Sequence, residues 1–148
     1  IGSSTFPDQL DYCTSAGQNR HKAIDVSSEY VEDERLTKNL LEAFVPDSAR
    51  VWDVLHTRIM PYNSVYSAIS MQSRLLLVET TQGQSRILND LKEDWFISDI
   101  TALHLESNGK PVLLLAMGVN ETDMMWTSLA VFDGVEYVFP DNNRLNGF

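Results

Sequence analysis

The chain has 148 residues, 43% of them hydrophobic and 22% charged, a balance that suits one folded domain and excludes general disorder. Eleven Lys and Arg stand against 21 Asp and Glu, a formal charge of −10, which is the wrong sign for a nucleic-acid backbone or an anionic lipid surface. The longest charge-free apolar stretch, Pro111 to Val119, is about half of what a helix needs to cross a bilayer, so no membrane span is expected.

Residues 1–27 are rich in Ser, Thr, Asp, Gln and Asn with little apolar periodicity, and read as an irregular N-terminal arm. The opening Ile1-Gly2-Ser3-Ser4-Thr5 has neither a methionine nor an apolar leader core, as expected of a chain cut at this point, with a removed export signal as one cause. That reading points to a periplasmic or secreted protein. Cys13 is the single cysteine, so no intrachain disulfide braces the fold, and no neighbouring Lys or Arg activates its thiol.

From Ser28 the pattern turns helical. Leu36, Leu40, Leu41 and Phe44 recur at helical spacing opposite a polar face, which predicts a helix over 28–45 ended by Pro46. The acidic run 29–34 reads as its solvated, dipole-matched start. Asp47 is placed to cap a second helix in which Val51, Val54, Leu55 and Ile59 share a side, with Trp52 at its edge and Pro61 as its stop; a β-branched run of this length also suits a strand.

Beyond Pro61 the texture is β. Residues 65–71 alternate loosely, and Leu75-Leu76-Leu77-Val78 runs through Thr81-Gln82-Gly83-Gln84 to Ile87 and Leu88 as a hairpin does. Ile100 to Leu105, the turn Ser107-Asn108-Gly109-Lys110, and Val112 to Leu115 make a second, with Asn-Gly as its turn signal. Leu129 to Phe132, Asp133-Gly134 and Val135 to Phe139 make a third, ended by Pro140. The expected fold is therefore α+β: an N-terminal helical segment of one or two helices packed on a C-terminal antiparallel meander of about six strands, forming one domain over 28–148.

The segment from Asp99 to Pro111, which carries Glu106-Ser107-Asn108-Gly109-Lys110, resembles the strand-turn-strand unit of FG-GAP or VCBS repeats. The resemblance covers about a dozen residues, occurs once, and implies a hairpin. Turn oxygens hold calcium in such repeats, an ion that takes six to eight hard oxygen ligands. Here Ser107 and Pro111 stand where further carboxylates would help, so the reading is a hairpin without a metal.

Motifs for covalent chemistry are missing. The sequence holds no G-x-S-x-G elbow and no H-E-x-x-H pair, its histidines (21, 56 and 104) are far apart, and Gly109-Lys110 is followed by proline where a phosphate loop needs a hydroxyl. No catalytic residue, metal site or cofactor is therefore expected. Paired acids remain, since two carboxylates can run hydrolysis; Glu93 with Asp94 and Glu121 with Asp123 are the tight pairs beside aromatic residues.

Those same segments carry a stronger pattern. Asn120-Glu121-Thr122-Asp123-Met124-Met125-Trp126 sets two methionines and a tryptophan directly after two acids, and Lys92-Glu93-Asp94-Trp95-Phe96 repeats the theme one hairpin earlier. Acids steer a basic partner, while Met and Trp supply adaptable or anchoring apolar contact; the same aromatic residues also suit a core plug at the end of the sheet. The expected function is a non-catalytic binding protein, of inhibitor or immunity type, that docks Glu93, Asp94, Trp95, Glu121, Asp123, Met124, Met125 and Trp126 onto a basic protein partner such as an enzyme or toxin. The alternatives are a small hydrolase using rim carboxylates, with or without a divalent metal, and a component of an envelope or surface assembly.

Overall fold

Leu75-Leu76-Leu77-Val78 is apolar without alternation, and a strand of that kind needs cover on both of its faces. The computed structural model supplies it. Residues 9–11, 20–92, 94–119, 125–139 and 145–146 are described. In chain order they form β1 (Gln9–Asp11), β2 (Arg20–Ala23), β3 (Ser27–Tyr30), α1 (Glu34–Phe44), β4 (Val51–Met60), β5 (Ser64–Met71), β6 (Arg74–Thr81) and β7 (Gln84–Leu91). They continue as β8 (Trp95–Ser107), β9 (Lys110–Val119), β10 (Met125–Phe132), β11 (Tyr137–Val138) and β12 (Leu145–Asn146).

The strands make two antiparallel sheets. One is a five-stranded meander, β3-β4-β5-β6-β7; the other runs β1-β2-β8-β9-β10-β11, with β12 also paired to β10. The five-stranded sheet lies in the middle. On its outer face α1 lays Leu36, Leu40, Leu41 and Phe44 against Ile69, Met71, Leu76 and Val78. Its inner face sends Ile59, Tyr66, Leu75 and Leu77 against Ile97, Ile100, Leu113, Leu115 and Phe132 of the second sheet. Three layers result, and the alternate residues of β6 serve two different cores.

The meander expected from the hairpin signals is present. Gln82-Gly83 turns β6 into β7, and Asn108-Gly109 turns β8 into β9 with φ of 51° and 83°, the double left-handed turn that matches strand twist and that Asn-Gly adopts cheaply. The third hairpin pairs Val131 with Val138 and Phe132 with Tyr137, and its Asp133 carboxylate accepts from the backbone N–H of Val135 and Glu136.

The helical segment differs from expectation. Among the described residues there is one α-helix, and it begins at Glu34 because 27–30 pair as β3 with β4. Asp33, in extended conformation, accepts from the Leu36 N–H at 2.9 Å and caps it. The second predicted helix is the strand β4. Its register slips between Val51 and Asp53, and the extra residue changes the strand's parity. Val51 and Val54, three apart, therefore both pack toward α1, while Leu55 and Ile59 face the other sheet; a bulged strand thus imitates helical spacing.

The N-terminal segment differs too. Within the expected irregular arm, β1 and β2 pair with each other and β2 pairs with β8. No helix of the described residues is long and apolar enough to cross a membrane.

Candidate functional site

The chain direction of β8, β9 and β10 decides where the two acid-and-aromatic segments lie. Trp95 pairs with Val119, Phe96 with Gly118, and Gly118 in turn with Met125. The start of β8, the end of β9 and the start of β10 thus lie together at one end of the seven-stranded sheet. Of the eight residues expected to bind a partner, Glu93, Glu121, Asp123 and Met124 lie outside the described residues. Met125 and Trp126 open β10, where the Trp126 backbone is flanked by Met117 and Asn146. Asp94 is exposed and accepts from the Ser73 N–H at 2.5 Å, tying this end to the β5–β6 turn.

Trp95 is different. It is 6% exposed and belongs to the core between the sheets, so its indole plugs the interior instead of reaching out. Strand parity explains this, since Trp95 and Ile97 share the inward face of β8.

At the other end of β6 the structure assembles a charged cluster that no motif announced. Glu79 follows the run 75–78 and shares its inward parity with Leu75 and Leu77, so its carboxylate is buried and needs partners. It has three: Tyr66 Oη donates to Oε2 at 2.9 Å, Lys110 Nζ to Oε2 at 2.7 Å, and Arg86 Nε to Oε1 at 3.2 Å. Burial alone pushes the Glu79 carboxyl up, but the hydrogen bonds from Lys110 and Tyr66 and the two positive charges outweigh it and hold it below the ordinary value. The signal was present in the sequence as an acid placed on the buried face of an apolar strand.

Two further polar groupings bridge the layers. His56 is 4% exposed, with Nδ1 2.7 Å from Ser67 Oγ and Nε2 2.7 Å from Thr37 Oγ1. Burial lowers its pKa, and the charge of Asp33 opposes this only in part, so a neutral ring links α1 to the sheet. Tyr30 Oη donates to Asp99 Oδ1 at 2.6 Å across the gap between β3 and β8. That hydrogen bond first, then burial and the Asp99 charge, pushes the Tyr30 phenol up to about 12.

Ser67 beside His56 is fully buried, whereas Thr37, whose Oγ1 lies 2.7 Å from His56 Nε2, lines an open recess with His56, Asp33 and Val54. Among the described residues no three His, Cys, Asp or Glu side chains gather as a metal site would require. His104, by contrast, is exposed on β8. The described residues define a three-layer arrangement of one helix and two antiparallel sheets, with polar clusters at its layer junctions. No known protein family matches the chain, and neither does any curated protein or solved structure.

Proposed function

We propose that the protein is a non-catalytic binding protein, of inhibitor or immunity type, that acts in the periplasm or outside the cell and docks one acidic end onto a basic protein partner. The observation that carries this reading is that the start of β8, the end of β9 and the start of β10 share one end of their sheet through the Trp95–Val119 and Gly118–Met125 pairings, with Asp94 exposed just before β8. In this reading Glu93, Asp94, Glu121 and Asp123 steer the encounter, and Met124, Met125 and Trp126 supply the apolar anchor. Trp95 lies in the core, and no contact with the partner is assigned to it.

Long-range attraction to a basic partner accelerates association and weakens with ionic strength, whereas a buried aromatic anchor governs departure. The test is affinity capture on the immobilised chain from the native extract, eluted by a salt gradient, followed by kinetics with the retained protein. A basic partner whose association slows with salt and with Asp94→Lys supports the proposal. Trp126→Ala should cost about 2 kcal/mol of binding with the fold intact. A variant that unfolds instead puts Trp126 in the core and removes it from the interface, and a partner indifferent to salt and to Asp94→Lys overturns the reading.

A further inference from the structure

One carboxylate needs one cation, yet Glu79 holds two. Lys110 and Arg86 both bond to it, which leaves one surplus positive charge at this end of a chain whose formal charge is −10. The surplus faces outward. The Arg86 side chain is 49% exposed and the Lys110 side chain 27%, against 5% for Glu79 beneath them. Arg86 spends only Nε on Glu79, and its Cζ sits 5.7 Å from the centre of the Phe132 ring. Its two Nη groups have no hydrogen-bond partner among the described residues, so the guanidinium presents a free, planar donor edge.

The setting is rigid and shaped. Lys110 leaves a turn pinned by Ser107 Oγ and Asn108 Nδ2, which both donate to the Phe132 carbonyl, at 2.8 and 3.0 Å. Thr80 and Ser85 are joined by a 2.7 Å hydroxyl pair beneath the β6–β7 turn. Between these walls lies a bay of about 300 Å³ lined by Glu79, Thr81, Gln82, Gln84, Ser85, Arg86 and Lys110. Apart from the buried Glu79, every lining side chain is cationic or a neutral hydrogen-bonding group.

We propose that this bay binds an oxyanion head group, a phosphate or a carboxylate, between the Arg86 Nη edge and Lys110 Nζ, with the neighbouring amide and hydroxyl groups completing its hydrogen bonds. Glu79 acts as a positioning residue: it fixes both cations from below and leaves the ligand to neutralise what it does not. The volume suits a small molecule or the charged end of one. The site is independent of the docking end, because the bay lies at the Thr81 end of β6 and Asp94 lies against the turn at the Arg74 end.

The experiment is an amide NMR titration of the full chain with sodium phosphate and, in parallel, sodium acetate, each exchanged against chloride at constant ionic strength. Saturating shifts confined to 82–86 and Lys110 are expected, and the ion that saturates first identifies the head group. Arg86→Gln should weaken binding about tenfold, the effect of losing a charge-assisted hydrogen bond. Gln84→Glu, an exposed change that leaves the Glu79 bonds intact, should weaken it by repulsion. Shifts that stay linear with concentration for both ions, or saturation unaltered in both variants, overturn the proposal.

Discussion

A neutral imidazole buried between a threonine and a serine makes His56 a reporter of acid. Its folded pKa lies below the ordinary 6.5, so the unfolded chain takes up a proton that the folded chain resists, and stability rises with pH across that window. Its contribution is complete above about 6.5, is lost as the pH falls toward the folded value, and levels off below it. Urea denaturation between pH 8 and pH 5 should show this decline, and His56→Gln should flatten it. Glu79 behaves similarly but in a lower window: its pKa is also held below its usual 4.5, so its share of stability goes only in stronger acid. The two windows separate the layer junction at α1 from the one between the sheets.

Within the elements, α1 is held mainly by its apolar stripe, and Leu40, 1% exposed, is its most buried member. Leu40→Ala should cost about 2–5 kcal/mol, read as a lower urea midpoint at pH 7, where His56 remains neutral. That helix was legible as a periodic stripe, though not its start, because 27–30 pair as β3 and Asp33 is the cap. The hairpins were legible wherever glycine marked the turn, as at Gly83 and Gly109. β4 was not, since its bulge puts Val51 and Val54 on one face and periodicity cannot distinguish that from a helical turn. A related slip in β8, between Ile97 and Asp99, brings Ile97 and Ile100 into one core. The two acid-and-aromatic segments stood out as composition alone. That the strand ends beside them share one end of the sheet depends on register, which pairs residues more than 20 positions apart in Trp95 and Val119. Trp95 shows the limit of composition: an aromatic beside acids serves a core as readily as a surface, and only its parity distinguishes them. The Glu79 cluster joins β5, β6, β7 and β9, and no local motif links such distant positions.

At the scale of the whole molecule, exposed Asp94 and the Arg86–Lys110 pair lie at opposite ends of β6, so the docking and the anion binding proposed for these ends should each weaken with salt, independently of one another. The layout of the sheets has a separate consequence for assembly. From β4 through β7, and again from β8 through β11, each strand pairs with the next strand of the chain, so these ladders can zip from short loops, while β3 reaches β4 only across residues 31–50, which hold α1. The junction of β2 with β8 spans far more of the chain: it pairs His21 with Ser107 and Ala23 with Leu105, and closing so long a loop costs more chain entropy. This seam should form late and open early. Native-state hydrogen exchange at low denaturant should find the amide of Ile24, bonded to the His104 carbonyl, released in a partial opening that leaves β5 and β6 protected. The N-terminal strands would then peel from a body whose two meanders are still folded.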